Sequence, residues 1–329
     1  MATAEVGSWE QLKLVLLISF QIPSILCHLV LIYHLCRSRT LRQALHNHVI
    51  LVLLLINFFL ITVDLSITMD FLRFGFIRGP LTQICHAWNF LDSSLSNASV
   101  FLMMWASLER HLVIFHDRQL LSTSRKRMIF HYAPLMIILS YVFIFYTFVI
   151  FYHPACSNAS HFHADEMFCR KACYVHEDKS LSIFELLAHK ILSSTLIVIL
   201  CFSLVVRIVM QKLRRNQRVQ WRRQRKMTAQ VVAISTLYVI GTFPAGIGEL
   251  FHILGKDQGE SHENVLQESI FLFLFYFISL MLPFVCLMSL PEIYMKLVLF
   301  LRCQPSNRIA PVTITVRSHD RRNMHEANP

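Results

Sequence analysis

Long uninterrupted runs of apolar residues constrain this chain more than any other feature. Each of seven runs can cross the hydrocarbon core of a bilayer, which takes ~20 residues of α-helix. Their predicted bounds are 11–36, 49–72, 85–115, 129–152, 181–209, 227–253 and 265–289. The chain is 55% hydrophobic over 329 residues, more apolar surface than a single soluble core can hide. The sequence therefore predicts an all-α membrane protein with seven spans.

The connections between these runs are short, so neighbouring helices are expected to be antiparallel and to pack side by side as one bundle. The first run is too long for a signal-peptide core and lacks a small-residue cleavage site, so we expect it to remain as a span. Three regions are predicted: a short extracellular N-terminus at 1–10, the bundle at 11–303, and a disordered cytoplasmic tail at 304–329.

The distribution of lysine and arginine predicts the orientation, because segments on the cytoplasmic side carry an excess of both. With the N-terminus outside, the inner segments hold the basic stretches: three arginines from Arg37 to Arg42, four basic residues from Arg118 to Arg127, the run from Lys212 to Lys226, and six in the tail from Lys296 to Arg322. We therefore expect the N-terminus outside and the C-terminus in the cytosol. The net charge of +11 reflects this topology, and no nucleic-acid partner is expected.

Four cysteines fall on the predicted outer side, where the compartment is oxidising. Cys85 starts the third run, and Cys156, Cys169 and Cys173 lie in the loop between runs four and five. Connectivity does not follow from sequence alone, so all three loop cysteines stay open as partners of Cys85. Cys173 is favoured because it lies close to span five and would pull the loop over the bundle. The same loop carries Asn158 in a glycosylation acceptor triplet.

The third span holds three charged residues, Asp92, Glu109 and Arg110. Such residues are costly inside a membrane, so they are expected to face protein or water and to mark functional sites. Asp92 and Arg110 are eighteen residues apart, which is about five full helical turns. One face of this helix is therefore predicted to be polar at both ends.

Asp92 is the candidate for a ligand pocket at the outer end. A half-buried carboxylate attracts a cation and rejects an anion, and Trp88 one turn earlier could add a cation–π contact. The alternative is a carboxylate hydrogen-bonded within the bundle, for example to Ser96 on its own helix. The residues leave both interpretations open.

Several motifs resemble those of one receptor family. Cys85 precedes the arginine of the triplet Glu109-Arg110-His111 by twenty-five residues, as in a family with an Asp/Glu-Arg-Tyr triplet at this place. Gly241-Thr242-Phe243-Pro244 is similar to its Cys-Trp-x-Pro motif, and Leu282-Pro283-Phe284-Val285-Cys286 stands where it has Asn-Pro-x-x-Tyr. The chain resembles a class A, rhodopsin-like G-protein-coupled receptor over residues 11–303.

This resemblance implies a multi-pass plasma-membrane receptor that binds a small, cationic or short-peptide ligand in the bundle and activates a heterotrimeric G protein. It implies that Arg110, flanked by His111, is exposed to the G protein when span six swings outward, and that Glu109 holds Arg110 at rest by a charge-assisted hydrogen bond. Pro244 and Pro283 would act as hinges. A short amphipathic eighth helix is expected at about 291–302.

The departures from the family also carry expectations. Thr242 replaces the family's switch tryptophan, and Leu282 and Cys286 replace its asparagine and tyrosine in span seven. Asn57 stands where the family has an aspartate, so with Ser99 as the remaining oxygen ligand we expect no tight sodium binding. Because so many positions are replaced, a non-signalling scaffold or decoy is the alternative function. A channel or transporter is less favoured because no repeats are visible.

The bilayer is the expected surrounding. No enzyme, metal or cofactor is expected, since no metal-ligand motif of the HExxH type occurs.

Overall fold

The computed structural model describes residues 2–43, 45–74, 80–120, 123–154, 174–214, 218–254, 262–290 and 293–294, and every regular element in these residues is helical. The α-helices are α1 (Ala2–Arg37), α2 (Arg39–Gln43), α3 (Leu45–Phe59), α4 (Leu65–Phe74), α5 (Leu81–Leu120), α6 (Ser124–Arg127), α7 (Ala133–Thr147), α8 (Tyr174–Glu177), α9 (Lys179–Glu185), α10 (Leu192–Arg214), α11 (Arg218–Leu254) and α12 (His262–Ser289). Four single π-helical turns join some of them: Leu60–Asp64, Met128–Tyr132, Phe148–Tyr152 and Leu186–Ile191.

Seven helical stretches form the bundle that the apolar runs predict. Six are long and apolar enough to cross a membrane: Gln11–Arg37, Asn47–Phe74, Arg125–Tyr152, Lys179–Arg207, Ala229–Phe251 and Ile270–Ser289. They are spans one, two, four, five, six and seven. Helix α5 supplies span three, and the serine and asparagine side chains in its middle make it less apolar than the others. It packs against α3, α7, α10 and α11, so it lies at the centre of the bundle.

Large apolar side chains also cover the outside of the bundle. Ile137, Ile144 and Phe202 are each exposed by more than 65% of their surface. On a soluble protein an apolar surface of this extent would drive association. A lipid environment accounts for it, which agrees with the multi-pass membrane fold.

Spans six and seven approach each other closely at Gly241. A Cβ atom added there would lie 2.6 Å from Cδ1 of Ile278. Glycine therefore leaves room for the present position of the Ile278 side chain, which a larger residue at 241 would have to displace.

The π-helical turns bring polar residues into spans four and five. The turn Met128–Tyr132 carries His131, and the turn Leu186–Ile191 carries His189 and Lys190. Single π-helical turns inside α-helices occur frequently at functional sites. Both of these turns belong to the clusters described below.

Some of the sequence predictions concern segments that the structure describes only in part or not at all. Helix α1 begins at Ala2, so the predicted N-terminal segment 1–10 is helical from its second residue. Of the predicted eighth helix at 291–302, only Ile293 and Tyr294 are described, and both are helical. The tail at 304–329, Asn158 and the three loop cysteines lie outside the described residues.

Candidate functional sites at the two ends of span three

Helix α5 carries a polar cluster at each end, called here the Cys85 end and the Arg110 end of the bundle. At the Arg110 end, Glu109 and His131 form the closest contact. His131 Nδ1 lies 2.5 Å from Glu109 Oε1, and the two side chains are 0% and 6% exposed. The carboxylate of span three is thus held by the π-helical turn at the start of span four.

A second histidine extends this contact to span two. His48 Nδ1 lies 3.2 Å from His131 Nε2, and His48 Nε2 lies 2.7 Å from the backbone carbonyl oxygen of Arg42. The Tyr132 hydroxyl lies 3.4 Å from His48 Nδ1. One chain of polar contacts therefore links three parts of the bundle: span two together with α2, span three, and span four.

Arg110 itself is buried, with 4% of its surface exposed. Glu109 acts on it electrostatically, but among the contacts of the described residues no hydrogen bond or ion pair joins the two. Adjacent residues of a helix point in different directions, so Glu109 can face span four while Arg110 does not. The expected Glu109–Arg110 hydrogen bond is therefore wrong for this structure, and Glu109 has His131 as its partner instead.

His111, the third residue of the triplet, contacts span five. Its Nε2 lies 2.8 Å from the carbonyl oxygen of Leu200 and 3.0 Å from the Ser203 hydroxyl. His111 therefore connects the Arg110 end of span three to span five.

The middle of the bundle has a hydrogen-bonded layer at Asn57. Its amide nitrogen lies 2.9 Å from the Tyr238 hydroxyl and 3.3 Å from the Ser99 hydroxyl, and it is fully buried. The hydroxyl groups of Ser99 and Tyr238 therefore contact an amide group, where a sodium site would need a carboxylate. This geometry is consistent with the expected loss of sodium binding, which stays a prediction.

The residues predicted as switches in spans six and seven lie inside their helices. Thr242 is 3.0 Å from the Ser194 hydroxyl of span five, and it donates to the backbone oxygen of Tyr238. Pro244 lies within α11 and Pro283 within α12. Proline lacks an N–H, so each removes one backbone hydrogen bond from its helix. Their role as hinges stays a prediction.

At the Cys85 end, the cysteine and Trp88 pack against span two. Cys85 is fully buried and disulfide-bonded, and its partner lies outside the described residues, so the pairing with Cys173 stays a prediction. Trp88 is 1% exposed, and its ring centroid lies 5.9 Å from that of Phe71. With so little exposed surface, Trp88 does not offer its ring to a ligand, so the expected cation–π contact is not supported.

Asp92 lies one turn further along, partly buried. The Ser96 hydroxyl lies 2.5 Å from the backbone carbonyl oxygen of Asp92 and not from its carboxylate. Serine in a helix commonly bonds back to its own backbone in this way. Ser96 is therefore not the carboxylate partner that sequence reasoning offered.

Lys190 of span five is a charged group that interacts electrostatically with Asp92. Its Nζ donates to Glu249 Oε2 of span six at 2.6 Å, and both side chains are 35% exposed. Glu185 and Asp92 also act electrostatically on Lys190. Spans three, five and six thus contribute three carboxylates around one ammonium group.

Two tyrosines hold Glu185 within this cluster. Tyr146 donates to Glu185 Oε1 at 2.6 Å and Tyr174 donates to Oε2 at 2.7 Å. Burial, followed by the neighbouring carboxylate of Glu185, raises the pKa of the Tyr174 phenol well above its usual value. His189 lies 3.2 Å from the Tyr146 hydroxyl and 2.8 Å from that of Tyr141. The segment next to Cys173 is thereby fixed to spans four and five.

Spans two and seven share a further buried contact. Tyr276 donates to Asp64 Oδ2 at 2.6 Å, and its hydroxyl lies 2.8 Å from that of Thr68. Among the described residues, no group of three or more His, Cys, Asp and Glu side chains could hold a metal ion.

Sequence reasoning missed Glu185, Lys190 and His131 as site residues. A signal was present, because an ionisable residue inside an apolar span is itself a functional pointer. Their partners lie on other spans, so the sequence could not say which groups they meet.

A family model described as 7 transmembrane receptor (rhodopsin family) matches residues 28–286. No curated protein matches the sequence.

Proposed function

This chain belongs to the rhodopsin family of seven-transmembrane receptors, and from that premise we propose its orientation, its ligand class and its coupling. It is a multi-pass plasma-membrane receptor with the Cys85 end outside. It binds a small cationic ligand or a short peptide at that end. It activates a heterotrimeric G protein at the Arg110 end by an outward swing of span six.

The charge balance around Lys190 carries the proposal of a cationic ligand. Among the described residues, Asp92, Glu185 and Glu249 supply three carboxylates and Lys190 one ammonium, so these four groups have a charge of −2 when all are ionised. A site with excess negative charge attracts cations and rejects anions. This extends the role proposed for Asp92 from one residue to a cluster.

The exposure of the Lys190–Glu249 pair supports ligand access. Each side chain of the pair is 35% exposed, so an incoming ammonium group can reach the Glu249 carboxylate and compete with Lys190 for it. Since Glu249 belongs to span six, the exchange would act directly on the helix that is proposed to swing.

The burial of Arg110 supports the coupling role at the other end. A guanidinium group with 4% of its surface exposed cannot contact a G protein in this arrangement. A rearrangement of the surrounding spans would have to expose it, and spans six and seven each carry a proline that interrupts the backbone ladder.

The ligand class is tested with a library of biogenic amines and short peptides. Binding is compared between the unaltered receptor, Asp92→Asn and Glu249→Gln, with Asp70→Asn in span two as the control carboxylate. We expect a cationic ligand whose affinity falls in the first two variants and not in the control. A ligand that binds all four versions equally would remove this cluster from the pocket.

Coupling is tested by nucleotide exchange on purified G proteins of each class, with and without ligand. We expect exchange that Arg110→Ala abolishes while ligand binding is kept. Ligand binding without exchange on any G protein would favour the scaffold or decoy instead, and ion currents independent of G proteins would favour a channel.

A further inference from the structure

A cavity lies at the Arg110 end of the bundle, between the ends of spans one and two. Its volume is about 210 Å³, and it is lined by Leu35, Cys36, Leu41, Arg42, Asn47, His48 and Leu51. The apolar stretch of span one ends at Arg37 and that of span two begins at Asn47. The cavity therefore lies where both spans leave the hydrocarbon core, which is the level of the lipid headgroups.

Asn47 contributes a buried polar atom that lacks a partner. The residue is 3% exposed, and its Nδ2 donates to the backbone oxygen of Leu41 at 2.8 Å. This bond fixes the orientation of the amide group, so Oδ1 is the end left over. Oδ1 is buried and accepts no hydrogen bond from the described residues. A buried acceptor without a donor is unfavourable, so a ligand that donates a hydrogen bond here would be stabilised.

The other residues of the cavity wall narrow the chemistry of that ligand. His48 is already engaged through both ring nitrogens, with the Arg42 carbonyl oxygen and with His131. The Arg42 side chain is exposed, and no ion pair joins it to a carboxylate among the described residues. The remaining wall is apolar and consists mainly of leucine side chains. The wall thus offers one acceptor, one cation and an apolar surface.

We propose that this cavity binds a phospholipid with a protonated amine headgroup, of the phosphatidylethanolamine type. Its ammonium group donates to Asn47 Oδ1, its phosphate lies beside the Arg42 guanidinium, and its acyl chain lies against Leu35 and Leu51. Arginine is well suited to phosphate, and a hydrogen bond from an ammonium group is charge-assisted and therefore strong.

Two other lipid classes match the wall less well. A sterol brings one hydroxyl donor and an apolar body but no anion for Arg42. A polyol headgroup brings several hydroxyl groups to a wall in which Asn47 Oδ1 is the acceptor without a partner. In the proposed orientation the site faces the cytosolic leaflet.

Cys36 reports on occupancy, because it lines the cavity and its thiol is free and exposed. The purified full-length receptor in detergent micelles is alkylated with iodoacetamide, which is uncharged, and the rate is followed by mass spectrometry of the Cys36 peptide. A bound lipid should slow this reaction. The free and buried cysteines should stay unreacted in the same samples and so show that the receptor remains folded: Cys27, Cys201 and Cys286.

The hydrogen bond is tested with phospholipids that share their acyl chains and differ only in methylation of the amine. Phosphatidylethanolamine and its N-methyl and N,N-dimethyl forms each keep an N–H, whereas phosphatidylcholine has none. We expect the mole fraction that halves the alkylation rate to be roughly tenfold lower for each of the first three than for phosphatidylcholine. Tenfold corresponds to about 1.4 kcal/mol, near the lower end for a hydrogen bond to a charged group.

Variants assign the two headgroup contacts. Asn47→Leu removes the acceptor at similar size, so the difference between the dimethyl lipid and phosphatidylcholine should disappear. Asn47→Asp loses the same bond to Leu41 but keeps an acceptor oxygen, so the difference should remain. Arg42→Gln should raise the half-protecting mole fraction of all four lipids, whereas Arg39→Gln, an exposed arginine of α2 outside the cavity wall, should not.

Equal mole fractions for the dimethyl lipid and phosphatidylcholine in the unaltered receptor would overturn the proposal. So would a difference that persists in Asn47→Leu, which would indicate steric exclusion of the last methyl group. Protection by a sterol but by none of the phospholipids, or by soluble glycerophosphoethanolamine as well as by the lipid, would also overturn it. The measurements need neither an activating ligand nor a G protein, and micelles have no sidedness, so they are independent of the proposed function.

Discussion

The phenol of Tyr174 offers a measurement of how helix α8 is attached to the bundle. Its hydroxyl donates to Glu185 Oε2 at 2.7 Å, and the carboxylate is 7% exposed. Tyr174→Phe removes this donor and keeps the ring, which is itself 1% exposed. The change therefore isolates one hydrogen bond to a buried acid.

The magnitude follows from the charge of the acceptor. A hydrogen bond to a charged group contributes about 1.5–3 kcal/mol. Glu185 keeps its second donor, Tyr146, at 2.6 Å, so the loss is that of one bond and not of an orphaned charge. At about 2 °C per kcal/mol, the lower end for domains of 150–250 residues, the melting temperature should fall by about 3 °C or more.

The effect should not depend on pH over the neutral range. Burial and the Glu185 carboxylate raise the pKa of Tyr174 well above its usual value of about 10. The phenol therefore stays protonated and remains a donor well above neutral pH. Its contribution would be lost only as the pH rises toward that raised pKa.

A thiol-reactive dye provides the assay, because Cys27, Cys201 and Cys286 are free and buried and become reactive on unfolding. The exposed Cys36 is first replaced by serine in every version. The matched control is Tyr152→Phe, since that side chain is 72% exposed.

The bond itself is isolated by repeating Tyr174→Phe in a Glu185→Gln background, where the acceptor is uncharged and the loss should be smaller. If Tyr174→Phe lowers the melting temperature no more than the control does, the proposed attachment is refuted.

Three further predictions use the same preparation. Glu109→Gln removes the negative charge beside the buried arginine and should raise ligand-independent nucleotide exchange; unchanged exchange in a receptor that couples measurably would contradict this. Gly241→Ala should change stability little, because the required shift of the Ile278 side chain offsets the gain of about 1 kcal/mol that alanine brings to a helix interior. Ile278→Val removes the atom 2.6 Å from the new Cβ, so the double variant should be more stable than the sum of the two single changes; purely additive effects in the melting assay would be the contrary result. The melting temperature should not respond to sodium at constant ionic strength, whereas Asn57→Asp should introduce a response; sodium stabilisation of the unaltered receptor would show the prediction to be wrong.

The span bounds could be predicted because the bilayer imposes a length and a polarity on each helix, and both are visible in one sequence. Periodicity also placed Asp92 and Arg110 at the two ends of one helix. The partners of these residues could not be predicted in the same way. Periodicity assigns a residue to a face of its own helix, but it does not say which neighbouring helix that face meets.

The two ends of span three show which contacts helical periodicity cannot predict. Glu109 was assigned to the arginine next to it in sequence, whereas its partner His131 comes from another span. Ser96 was offered to the Asp92 carboxylate, but its hydroxyl bonds to the backbone of its own helix, a local competition that spacing does not reveal. Lys190 lies inside an apolar run, and its significance depends on acids contributed by two other spans.

The π-helical turn at Leu186–Ile191 changes which residues of span five face the inside of the bundle. Such a turn contains one residue more than an α-helical turn. The α-helical segments before and after it therefore keep their faces aligned, although the sequence that joins them is one residue longer. Glu185 before the turn and Lys190 within it are five residues apart, about 140° out of phase on a regular α-helix, yet both belong to one charged cluster. Residue roles transferred from a relative with an unbroken α-helix would therefore be displaced by one position, about 100° around the axis, at every residue beyond the turn. An alignment of span five needs its gap at this turn before any ligand contact is assigned on it.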